Sequence, residues 1–138
     1  MKVENMKISK HIILGLLLIG TSVAWAAKPI HNIVDEVVPV RLDGTPYTLE
    51  QVKEAIIAGC TRRGWRPVLD GETQIKCSIL VRGKHYAEVA IPYSASNYSI
   101  LYVDSRELDY NAKRQRIHRN YNGWVIKLSA TIQQQFGN

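Results

Sequence analysis

The sequence predicts an α+β two-layer domain: a helix, a four-stranded antiparallel meander and a C-terminal helix, with both helices on one sheet face. Three observations carry this expectation. Apolar residues recur at helical steps in two separated segments, near 49–62 and 117–136. Between them, successive runs alternate apolar and polar with the period of a half-buried strand. The links between those runs hold turn residues, Asp70-Gly71 and Arg82-Gly83-Lys84 among them. Helices flanking a meander bury their apolar stripes against a single sheet face.

Residues 1–26 read as an export signal. Lys7 and Lys10 form a positive start, Ile12 to Ile19 an apolar stretch broken only by Gly15, and Ala24-Trp25-Ala26 a small-x-small cleavage site. The apolar stretch ends at Ala26 and falls short of the roughly twenty residues that cross a bilayer as a helix. The expectation is therefore cleavage near Ala26 and a periplasmic or secreted chain; retention of the leader as an anchor is the alternative. Removing residues 1–26 from 138 leaves 112, enough for one domain with a modest core.

Residues 27–47 contain Pro29, Pro39 and Pro46 without helical period and read as an extended lead-in, with Val37 to Val40 an edge strand or docked arm. The single domain is placed at 48–138. Thr48 is a natural N-cap, with Gln51 completing a capping box and Glu50 favoured by the helix dipole. The first helix should run over 49–62, with Leu49, Val52, Ile56 and Cys60 on its buried stripe and Gly59 and Gly64 bracketing its end. Trp65 to Leu69 and Thr73 to Val81 form a hairpin about a two-residue primed turn at Asp70-Gly71. That register sets Cys77 opposite Gly64. His85 to Tyr93 and Tyr98 to Val103 complete the meander, with Pro92 at a strand end. Asp104 to Ala112 is a connector. Ile117, Tyr121, Trp124, Leu128 and Ile132 mark the second helix, weakened at Gly123 by about 1 kcal/mol relative to alanine unless close packing needs the missing side chain.

Charge is uneven along the chain. No Asp or Glu follows Asp109, whereas Lys113, Arg114, Arg116, Arg119 and Lys127 do. Such asymmetry fits an anionic partner, or else a solvated helix face that keeps the protein soluble. An exported protein rarely meets nucleic acid, so the expected partner is an anionic envelope component, such as a phosphorylated glycolipid or phospholipid headgroup, or an acidic protein surface. Peripheral membrane contact is compatible with this.

The cysteines Cys60 and Cys77 form an even pair, and an oxidising compartment makes them a candidate disulfide. Their separation is too long for a CxxC redox motif. A bridge closing this loop would contribute about 3 kcal/mol on the chain-entropy model.

The run Arg82-Gly83-Lys84-His85-Tyr86-Ala87-Glu88-Val89-Ala90-Ile91-Pro92-Tyr93, then Tyr98-Ser99-Ile100-Leu101-Tyr102, Ser105 with Leu108, and Ile117-His118-Arg119-Asn120-Tyr121-Asn122-Gly123-Trp124 resembles a family of small exported bacterial proteins, many of them lipoproteins, without an assigned activity. The resemblance spans roughly Leu49 to Ile132. It implies class and location but no catalytic residues. The chain departs from the lipoprotein members in having no cysteine near the cleavage site.

Candidate chemistry is sparse. Ser105 with His118 and Asp104, or His85 with Glu88, offer a nucleophile or base without a local signature such as a nucleophile elbow. Ser105 and Asp104 are as well read as turn or cap residues. His31, His85 and His118 stand singly, so no metal site and no cofactor is expected. The segment Ile117–Trp124 is the most distinctive: Tyr121 and Trp124 read as core anchors, and Arg114, His118, Arg119 and Asn122 as a contact surface at the helix start, where free backbone N–H groups also favour anions. Asn120 or Asn122 would otherwise cap neighbouring backbone. Tyr86, Tyr98 and Tyr102 are expected beneath the helices rather than on a glycan-binding surface. The reading that results is a non-enzymatic binding or accessory module acting through its basic C-terminal helix region. A small envelope-acting hydrolase or lyase using His85 or His118 is the alternative. An open sheet edge offers a second route to a partner.

Overall fold

A computed structural model describes residues 27–137. The expected leader and its cleavage site lie outside these residues. In chain order the elements are β1 (Ala27–Pro29), β2 (Ile33–Val37), α1 (Leu49–Arg62), β3 (Arg66–Leu69), β4 (Gln74–Val81), β5 (His85–Pro92), β6 (Asn97–Arg106), β7 (Arg116–His118) and α2 (Arg119–Gln134). The fold is α+β, with a five-stranded antiparallel sheet ordered β2-β6-β5-β4-β3 and a small two-stranded sheet of β1 and β7.

The meander is present, with one more strand than expected. The fifth strand comes from the lead-in. Residues 33–37 pair with β6 as its edge neighbour, and β1 pairs with β7, so residues 27–47 are built into the domain rather than leading to it. The strand ends at Val37, the first residue of the expected Val37–Val40 segment. Val38 instead turns into the core at 5% exposure, its N–H donating to the Ser96 carbonyl.

The first helix begins as the sequence dictates. Thr48 Oγ1 accepts from the Gln51 N–H, and Gln51 Oε1 accepts from the Thr48 N–H, a complete capping box. Val52, Ala55, Ile56, Gly59 and Cys60 form its buried stripe. The second helix starts later than expected, because Ile117 belongs to β7 and remains fully buried there. Tyr121, Val125, Leu128 and Ile132 then continue the apolar stripe, with Trp124 packed partly buried beside it. Both stripes join one core with the inward residues Ile75, Cys77, Val89, Ile91, Tyr98 and Ile100 of the sheet. Helical and strand faces exclude water jointly, which is the main source of stability for a layered domain of this size.

The β3–β4 register corrects the sequence reading. Pro67, not Gly64, lies opposite Cys77, and the Asp70 N–H donates to the Gln74 carbonyl, so the link is a three-residue loop over 71–73. Gly71, the first residue of the loop, has φ +86°, a left-handed backbone that glycine adopts without steric cost. On β6, Val89 pairs with Tyr102 while Glu88 pairs with Asp104, leaving Val103 as a bulge that is exposed. Tyr98 is buried and Tyr102 half-buried, whereas Tyr86 shares its face with outward Glu88 and Arg106.

Candidate anion-contact surface

The four residues singled out at the start of α2 divide into two pairs. His118 is the N-cap: its Nδ1 accepts from the Asn120 N–H at 3.2 Å, which requires a lone pair on Nδ1 and hence the Nε2–H tautomer. Asn122 is a clamp. Its Oδ1 accepts from the His31 N–H at 3.0 Å and its Nδ2 donates to the Pro29 carbonyl at 2.8 Å. The side chain thus ties the chain just after β1 to the first turn of α2. Neither residue is free to serve a ligand with these groups. Arg114 and Arg119, by contrast, are exposed and make no ion pair among the described residues.

The structure adds a cation that sequence separation concealed. Pairing of β1 with β7 sets Lys28 opposite Ile117, Pro29 opposite Arg116 and Ala27 opposite His118. Lys28 is therefore at the end of the domain that carries Lys113 and Arg114 on the preceding turn and Arg119 at the start of α2. That turn is closed by mutual backbone hydrogen bonds between Asn111 and Arg116, and Asn111 Oδ1 accepts from the Arg114 N–H. Arg116 is half-buried and its Nη2 donates to the Ala27 carbonyl at 2.7 Å, so it holds β1 in place while its charge adds to the same region. The two ion pairs among the described residues, Glu50 with Lys53 and Asp70 with Lys76, lie on other elements. No acidic residue stands in the first turn of α2. The helix N-terminus and the cations Lys28, Lys113, Arg114, Arg116 and Arg119 favour an anion, against the exposed acids Glu107 and Asp109 of the segment whose Leu108 carbonyl accepts from the His118 N–H.

The His85 and His118 rings are engaged without carboxylate partners. His85 Nδ1 meets the Glu107 carbonyl at 2.7 Å and so donates to it. Glu88 is taken by the Tyr86 hydroxyl, 2.7 Å away; that contact, followed by burial, holds the Tyr86 phenol above its ordinary range. Ser105 Oγ lies 2.8 Å from the Tyr102 hydroxyl, and Asp104 accepts from the Ser105 N–H. Ser105 and Asp104 are thus strand residues of β6, paired with Ala87 and Glu88 rather than forming the expected turn or cap, with His118 committed to its cap. No three His, Cys, Asp or Glu side chains gather in a metal-binding group among the described residues.

Two clefts lie at the opposite end of α2 and contain no histidine. The larger, about 520 Å³, is formed where the segment after β2 crosses the C-terminal end of α2, with Val40, Leu42, Tyr47, Gln133 and Phe136 in its walls. Tyr47 donates its hydroxyl to the Phe136 carbonyl, the two rings stand 5.1 Å apart edge to face, and Arg41 lies 4.3 Å over the Tyr47 ring. The smaller cleft shares Arg41, Tyr47 and Phe136.

The sheet edges are both irregular. β2 is interrupted between Ile33 and Glu36, with Asp35 at φ +52°, and β3 has only four residues and includes Pro67, which has no N–H to donate. Bulges, prolines and short edges discourage added strands.

No described helix is long and apolar enough to cross a membrane. The chain matches no protein-family model, no curated protein and no solved structure. Its fold defines a two-layer α+β domain, and the exposed cations Lys28, Lys113, Arg114 and Arg119 lie on the β1–β7 ribbon, the turn before β7 and the start of α2.

Proposed function

We propose that this chain is an exported, non-enzymatic binding module whose basic end, built from the β1–β7 ribbon and the start of α2, contacts an anionic component of the cell envelope. The observation that carries the reading is the convergence of exposed Lys28, Lys113, Arg114 and Arg119 at one end of the domain, free of ion pairs among the described residues. Cations held on a rigid ribbon and a helix terminus present a fixed pattern of charge to phosphate or carboxylate groups. Arg116 and Asn122 support the surface by fixing β1 and the chain after it, rather than by touching the ligand.

Vesicles containing anionic phospholipid test this directly. The chain from Ala27 onward should co-sediment with them at low salt and much less at moderate salt, because exposed charges are screened over about 10 Å at 0.1 M ionic strength. Arg114→Glu with Arg119→Glu should weaken the association by about 10-fold or more, since each cation near such a surface contributes on the order of 1 kcal/mol. Equal binding by the variant, with its thermal unfolding unchanged, would remove the basic end from the account.

A further inference from the structure

Cys60 and Cys77 come from separate layers of the domain, the last turn of α1 and the centre of β4, and meet in the core. Both have 0% exposure and both are free thiols in the structure, near but unbonded. Two connections bring them together. The Trp65 N–H donates to the Cys60 carbonyl at 2.8 Å as the chain leaves α1, and β3 then sets Pro67 opposite Cys77. Contact with the Cys60 thiol, followed by burial, pushes the Cys77 thiol far above the ordinary thiol range. A protonated, enclosed thiol is a poor nucleophile, and an external disulfide cannot reach it.

We propose that Cys60 and Cys77 form an intramolecular disulfide that closes before α1 docks on the sheet and is then sealed inside the folded core. The chemistry is thiol–disulfide exchange with an external disulfide, of protein or small molecule. One cysteine thiolate attacks a sulfur of that disulfide, forming a mixed disulfide and expelling one thiolate. The second cysteine thiolate displaces the other, forming the Cys60–Cys77 bond. The two cysteines lose two protons and two electrons, and the oxidant is reduced to two thiols. Folding order thus gates the reaction in both directions: the folded dithiol is shielded from oxidant, and the folded disulfide is shielded from reductant. No part of this depends on what the basic end contacts.

The test starts from the reduced, denatured chain from Ala27 onward, refolded with oxidised and reduced glutathione, then denatured and treated with a maleimide. The expected product is a monomer lacking two hydrogens, with no adduct until reductant is added and two adducts afterwards. Recovery of folded protein with two free thiols, a lasting glutathione adduct or a disulfide-linked dimer would overturn the bridge. Reduction of the folded product by dithiothreitol should be slower than in denaturant by at least about 100-fold, since it waits on opening of the core. Equal rates in the two conditions would overturn the sealing, whatever the fate of the vesicle experiment.

Discussion

Gly59 and Ile132 mark a tight approach of the two helices: a Cβ on Gly59 would stand 2.5 Å from Ile132 Cγ1 and 2.9 Å from its Cα. The second of these is backbone, which a rotamer change does not relieve. Any side chain at residue 59 therefore separates α1 from α2. Gly59→Ala is expected to lower stability by about 1–3 kcal/mol despite the better helix propensity of alanine. Chemical denaturation of the two proteins measures this, and an unchanged midpoint would mean that the helices pack more loosely than described.

Gly123 is the opposite case. A Cβ there meets nothing within 4 Å. Gly123→Ala should raise stability by up to about 1 kcal/mol, from helix propensity alone. The pair of substitutions separates a glycine required by packing from one that is not.

Tyr121 is fully buried and its hydroxyl has no hydrogen-bond partner among the described residues. Removing an unsatisfied buried hydroxyl while keeping the ring relieves its desolvation, so Tyr121→Phe should be neutral or stabilising by about 1 kcal/mol. A loss of 2 kcal/mol or more on unfolding would reveal a hydrogen bond that the protein atoms do not supply.

The same burial predicts a pH dependence. Burial is the first cause that raises the Tyr121 phenol, and it also raises that of Tyr98 against its hydrogen bonds to Ser129 and Gln133. The unfolded chain loses these protons near pH 10, where the folded chain keeps them. Above that pH the unfolded state binds fewer protons, so stability is fully present below about pH 10 and falls as pH rises further. Tyr121→Phe should flatten this fall. An identical alkaline slope in both proteins would contradict the assignment.

Asn122 tests the division between support and contact. Asn122→Ala removes both hydrogen bonds, to Pro29 at the end of β1 and to His31 beyond it, and should cost about 1–2 kcal/mol. It should also speed amide exchange at His31 without changing the charge of the basic end. Were exchange at His31 unaltered, the clamp would be of no consequence.

Much of this fold was legible because its signals are local. Thr48 and Gln51 announce the start of α1, and alternation through Ile75, Cys77, Val89 and Ile91 announces the strands and their buried face. What escaped depends on pairing between distant segments. A five-residue strand with three polar or proline-flanked neighbours gives little periodic signal, and β2 owes its place to β6. The β3–β4 register was misread because Asp70-Gly71 fits a two-residue turn as readily as the longer loop that forms. At the candidate site, the sequence pointed to Arg114 and Arg119 through their uncompensated charge. It could not separate them from His118 and Asn122, whose structural duties involve a backbone N–H two residues away and a segment near residue 30. Lys28 was invisible for the same reason, since only the β1–β7 pairing places it there.

The most direct measurement of the central claim is an amide NMR titration of the isotope-labelled chain from Ala27 onward with anionic phospholipid vesicles or bicelles at low salt. Signals of Lys28 and of residues 113–119 should shift or broaden first and recover when salt is raised. Perturbation centred instead on Tyr47 and Phe136, or no perturbation at all, would contradict an anion-contacting role for the basic end.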